Sequence, residues 1–150
     1  MKRITRFFIV CSVILTSATA TLPQDEEISL YDSDGTPVAY VAFGDDAPTI
    51  YMWSGKPVAY LADTSGDGFS IYGFNGKHLG WFVKGIARDH DGDAACGIRQ
   101  AVDSPKLEPI KSLKELLPLK SLKELEPLRP IFTVQWSGTP CAAFLYQGAE

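Results

Sequence analysis

A chain of 150 residues, 45% hydrophobic and 21% charged, is long enough for one domain with a core of its own. Its 14 Lys and Arg against 18 Asp and Glu give a net charge of −4, which argues against a nucleic-acid partner and for simple solubility.

Residues 1–20 read as a secretory signal. Lys2, Arg3 and Arg6 form a basic start, FFIVCSVIL (7–15) a short apolar run, and Ala18-Thr19-Ala20 a small-x-small cleavage site. The protein is therefore expected to be exported, to a periplasm or to the medium. The apolar run is too short to span a bilayer, so no transmembrane segment is expected after cleavage. Cys11 lies inside the apolar run without a small residue before it, which makes a lipid anchor a poor reading. Without these 20 residues, 11 Lys and Arg face 18 Asp and Glu, a net charge of −7. Residues 21–27, TLPQDEE, read as an exposed leader.

Residues 28–104 are organised by an internal repeat. Aligned on a turn glycine, the copies are ISLYDSDGTPVAYV (28–41), PTIYMWSGKPVAYL (48–61) and FSIYGFNGKHLGWF (69–82). GIARDHDGDAACGI (85–98) is a weaker copy, with Arg88 where the others have Tyr. Each copy reads as a β-hairpin. Asp34-Gly35, Asn75-Gly76 and Asp91-Gly92 suit two-residue type I′ turns, and the flanks are rich in β-formers. A two-residue turn sets Tyr31 opposite Val38 and gives each hairpin an aromatic face, with Tyr40, Tyr51, Tyr60, Tyr72 and Trp81. The other face carries small residues, Ala39, Ala59 and Gly80, where several hairpins would converge on a common axis. Pro37, Pro57 and Pro140 follow the turns and block edge pairing there, so the hairpins are expected to be separate blades.

The acidic loops invite a calcium reading, but the EF-hand pattern fails. Counted from Asp63, the twelfth position is Phe74; counted from Asp89, the sixth and twelfth are Ala94 and Gln100. Solvated turns are the better reading. His78 and His90 lack zinc spacing and are read as local turn contacts. No nucleophile elbow and no phosphate-cradling loop is present, so no enzyme, catalytic residue, metal site or cofactor is expected. Cys96 and Cys141 form a pair that export would oxidise. Hairpin register points them to opposite faces, so two small core residues are the alternative.

Residues 105–130 are a different material. KSLKELLPL (111–119) and KSLKELEPL (120–128) differ at one position, and from Leu107 to Ile131 every third residue is Leu or Ile. A period of three is not helical; it matches polyproline II, which also tolerates Pro105, Pro109, Pro118, Pro127 and Pro130. Ser112 with Glu115 and Ser121 with Glu124 have capping-box spacing, but Pro118 and Pro127 would stop any helix within about two turns. The tract is expected to be an extended rope whose leucine stripe lies in a groove of the body. Its net +2 against −8 for residues 21–104 favours docking on its own domain. The alternative is a ligand for another protein's proline-reading groove. Residues 131–150 hold IFTVQWSGTPCAAF, a second weak copy of the repeat, and are expected to return as a covering hairpin; the alternative is that residues 131–145, rather than 85–98, supply the fourth petal.

IYMWSGKPVAYL, IYGFNGKHLGWF and ARDHDGD, with the Leu-Lys-Pro tract and the closing FTVQWSGTP, resemble the bacterial 4-fold beta flower domain over roughly residues 28–145. The resemblance implies an all-β fold of four hairpin petals about a pseudo-fourfold axis, and no known activity.

Two functions follow as expectations. The first is an exported, non-enzymatic structural or protein-interaction domain. The second is a carbohydrate- or cell-wall-binding module in which Tyr51, Trp53, Tyr72, Phe74 and Trp81 stack on sugars. An unknown protein or cell-envelope component is the expected partner.

Overall fold

A computed structural model of the chain describes residues 26–44 and 46–149. The expected signal and most of the leader lie outside the described residues. Eight strands follow in chain order: β1 (Glu27–Tyr31), β2 (Pro37–Ala42), β3 (Thr49–Met52), β4 (Pro57–Asp63), β5 (Phe69–Gly73), β6 (His78–Val83), β7 (Ile86–Arg88) and β8 (Ala94–Ile98). Each pairs antiparallel with the next and β8 pairs back to β1, closing a barrel. The architecture is all-β, and the fourth pair of strands comes from the weak copy at 85–98.

The expectation of separate blades is corrected. Pro37 and Pro57 are the first residues of β2 and β4. Pairing to the next hairpin starts two residues later, at Ala39 and Ala59, so the missing N–H groups cost no ladder bond.

The turns are corrected as well. Gly35, Gly76 and Gly92 have positive φ, yet among the described residues Lys84 is the only non-glycine that does. A type I′ turn needs positive φ at two successive positions, so Asp34-Gly35 and its equivalents cannot be one. Instead Asp32 closes a wider loop. Its carbonyl accepts from Gly35 N (3.0 Å), and its carboxylate accepts from Asp34 N (2.9 Å) and Thr36 N (2.8 Å). The ladder then slips by one residue, with Leu30 opposite Ala39 but Tyr31 opposite Pro37 rather than Val38. The same slip recurs at Tyr51 and Tyr72 and moves Val58 and Leu79 into the main core. The two-residue turn with two positive φ values is Lys84 (50°) and Gly85 (79°), between the paired Val83 and Ile86.

Side-chain alternation decides what each face does. Leu30, Ala39, Val41, Ile50, Ala59, Leu61, Ile71, Phe82 and Cys96 point inward and form one cluster. Ala39 and Ala59 are fully buried, as a shared centre requires. Tyr40, Tyr51, Tyr60, Tyr72 and Trp81 face outward.

The covering hairpin at the C-terminus is corrected to a helix, α1 (Cys141–Tyr146). Phe144 and Leu145 join the interior cluster. Asn75 Nδ2 donates to Gln147 O (2.8 Å), so α1 closes the end of the barrel that carries the glycine turns. Strand parity therefore never applied to Cys141. Cys96 and Cys141 are joined by a disulfide, S–S 2.04 Å, which fastens this plug to β8.

Candidate interaction surface

Residues 105–133 form neither helix nor strand and pass around the outside of the barrel. The contacts of this rope repeat every three residues, as polyproline II geometry dictates. Three faces result, and each has its own chemistry.

The edge face supplies backbone donors. Lys106, Glu115, Glu124 and Thr133 donate their N–H groups to the carbonyls of Gly35, Gly55, Gly76 and Gly92 at 2.8–3.1 Å. Ser112 N and Ser121 N donate to Trp53 O (3.2 Å) and Phe74 O (2.8 Å). Pro109, Pro118, Pro127 and Pro130, which have no N–H to offer, occupy the remaining positions of this face. The Ser-x-x-Glu spacing that resembles a capping box is thus a pair of rope donors straddling a hairpin turn. The four donors to glycine are nine residues apart, so each nonapeptide advances the rope by one hairpin. A Cβ built on Gly35, Gly55, Gly76 or Gly92 would lie 1.9–2.4 Å from the carbonyl oxygens of Ser104, Leu113, Leu122 and Ile131, again nine apart. The turn glycines therefore serve the rope as well as the turn.

The inward face carries cations onto the outward rings. Lys111 Nζ sits 4.4 Å from the centre of the Tyr40 ring and Lys120 Nζ 4.5 Å from that of Tyr60. Arg129 Cζ lies 5.9 Å from the Trp81 ring, while Lys114 and Lys123 cover Tyr51 and Tyr72 at 5.4 and 5.2 Å. In the fourth repeat the partners are exchanged: Arg88 holds the tyrosine position, Phe132 holds the lysine position, and they lie 5.4 Å apart. The arginine that departs from the repeat is the same contact with its halves swapped.

Carboxylates lock the arrangement. Glu27 pairs with Lys111 (2.7 Å) and Lys114 (2.8 Å). Burial works against its ionisation, but these two hydrogen-bonded cations outweigh that and hold its carboxyl below the usual range. Glu108 accepts from Tyr31 Oη (2.6 Å), and Glu126 accepts from Trp81 Nε1 (2.8 Å) and from the Thr64 hydroxyl. Leu117 stands at the equivalent position between them and is the single difference between the two nonapeptides.

The third face is apolar and points to solvent. Every third residue from 107 to 134 is Leu, Ile or Val, and each is 91–100% exposed. The expectation that this stripe lies in a groove of the body is corrected. An acidic, ring-covered barrel wall takes the cationic face, and the threefold rope then has to turn its leucines outward. At about 25 cal/mol per Å² and about 1.5–3 kcal/mol per leucine-sized side chain, such a stripe exposes on the order of 1,000 Å². Soluble monomers rarely expose a contiguous apolar patch above roughly 300–600 Å².

The rings expected to stack on sugars are engaged within the chain. Trp81, Phe74, Tyr72 and Tyr51 are buried at 0, 4, 5 and 7% exposure. Trp53 is half-buried, donates Nε1–H to Pro109 O (3.0 Å) and lies under Lys111.

One polar cluster escaped the sequence, which has no spacing signal for it. His78 Nδ1 and His90 Nε2 share a hydrogen bond of 2.9 Å, wedged against Tyr72 and Trp81. Their local-turn reading is corrected to a contact between the third and fourth repeats. Burial, and then the neighbouring His90, push the His78 imidazole down to about 4. No group of three or more metal-ligating side chains occurs among the described residues, and no helix among them is long and apolar enough to cross a membrane.

Residues 28–145 match the family described as 4-fold beta flower protein, spanning all four hairpins, the rope and most of the plug helix. The chain belongs to the 4-fold beta flower family. Comparison with curated proteins and with solved structures gave no match. Function in the beta flower family is uncharacterised, so the geometry of this member has to carry any functional reading.

Proposed function

We propose that this beta flower is an exported, non-enzymatic interaction module that uses its barrel as a spool to display the apolar face of the rope. The supporting observation is the outward stripe. A leucine row at 91–100% exposure does nothing for the fold, yet the cations and backbone donors of the same rope are spent on holding it in place. Export is supported by the basic and apolar start of the sequence and by the Cys96–Cys141 bond, which persists in oxidising compartments. Sugar stacking would first require the rope to be lifted from the rings, so the geometry favours the interaction reading.

The test is the stability of a variant carrying Leu113→Gln, Leu116→Gln, Leu119→Gln and Leu122→Gln. Exposed positions outside any packing feature change stability by within about 0.5 kcal/mol each. Urea denaturation is expected to give the parent midpoint. A loss approaching the roughly 2–5 kcal/mol per residue of core leucines would show that the stripe is packing, and the reading would fail.

A further inference from the structure

We propose that the partner of the leucine belt is a second copy of this chain, belt against belt. The inference rests on the interaction reading above and names its occupant. Three observations carry it.

The first is spacing. Outward side chains recur every third residue over residues 107–134. In polyproline II geometry three residues advance about 9 Å, which leaves a gap between successive leucines. Where two such ropes meet antiparallel they have identical spacing, so the leucines of one can seat between those of the other over the arcs that face. A two-fold interface is self-complementary in this way, and an unrelated surface has no reason to match the repeat.

The second is charge. The molecule is acidic, which would oppose self-association through most of its surface. The belt is the exception. None of its outward positions is charged, and Lys111, Lys114, Lys120 and Lys123 are turned in towards tyrosine rings. The belt positions themselves therefore bring no like charges together.

The third is extent. Because the rope passes all four hairpins, one neighbour meets only the arc that faces it, on the order of a third of the stripe, and the other arcs stay open to further copies. A lipid core fits less well. Membrane barrels carry an apolar band about 25 Å tall, whereas this belt is one row of side chains. It is bordered by the polar turn residues Asp34, Ser54 and Asn75 at the glycine end of the barrel and by Asp46, Asp63 and Asp67 at the other.

Sedimentation velocity on the oxidised chain without residues 1–20, from low to high micromolar, tests the proposal beside the four-leucine variant described above. Concentration-dependent dimers or larger species are expected from the parent. The variant should sediment as a monomer with an unchanged far-UV circular dichroism spectrum. Association that persists unchanged in the variant overturns the belt as the contact. A parent that stays monomeric overturns self-association, and flotation with phosphatidylcholine or phosphatidylglycerol vesicles then separates the two readings. Belt-dependent flotation would leave the interaction module standing with lipid as its occupant. A belt variant that loses folding stability would bring down the module itself.

Discussion

At the scale of single residues, His78 is the group whose chemistry the fold changes most. Its ring faces His90, Ser70, Tyr72 and Trp81, with Glu124 accepting from its backbone N–H at 3.0 Å and Glu126 close by. With an ordinary value of 6.5 lowered to about 4, the unfolded chain takes up a proton before the folded one does as pH falls. Stability is therefore whole above about pH 6.5 and is lost between there and about pH 4, by at most about 3 kcal/mol. Glu27, Glu108 and Glu126, held below their usual range, add their own loss only below about pH 4.5. Urea midpoints across pH 7 to 4 should fall in the parent and stay flat down to about pH 4.5 in His78→Gln. Equal slopes in the two would assign the loss to other groups. His78 was visible in the sequence only as the residue replacing a turn proline. Its partner sits in a different hairpin, and no local spacing encodes a contact that depends on how hairpins are placed around a ring.

At the scale of elements, rope and barrel are two repeats locked in step, one of nine residues and one of about 20. The exchange at Arg88 and Phe132 is the sharpest test of that lock. Arg88→Tyr alone sets two rings together under Arg129, and Phe132→Lys alone sets two cations together, so each should lose about 1 kcal/mol or more. The double variant restores the contact found in repeats two and three and should recover most of the loss in a double-mutant cycle. Additive losses would mean that the two positions do not act as a pair. The nonapeptide, its period of three and its tendency to an extended form were all legible in the sequence. The direction of the leucine face was not. Hydrophobicity argues for burial, and what outvoted it was the ring-covered wall, which binds the cationic face of the same rope.

At the scale of the whole molecule, the barrel is a ring of eight short strands whose open end is filled by α1, and one covalent bond holds that plug. The bond between Cys96 and Cys141 spans 45 residues, a span that contains the entire rope. Chain-entropy estimates put the contribution of such a closure at about 4 kcal/mol. Reduction, or replacement of both cysteines by Ala, should lower the unfolding midpoint by a matching amount and loosen the rope at the same time. The observable is faster amide exchange at Ser112, Glu115, Ser121 and Glu124. Exchange unchanged at those four amides would show that plug and rope are held independently. Hairpin register sets Cys96 and Cys141 on opposite faces only if the closing segment keeps strand parity, and a helix does not keep it.

By itself the sequence determined the all-β class, the first three hairpins of the repeat, the small residues at the shared centre and the extended rope. Each of these follows from local turn chemistry or from a period within one segment. Closure of the hairpins into one barrel, the swapped Arg88–Phe132 contact, the histidine pair, the disulfide and the outward leucines were decided only by the tertiary structure. They depend on which segments meet across the ring, and a one-dimensional period fixes the spacing of side chains without fixing which face the rest of the molecule will claim.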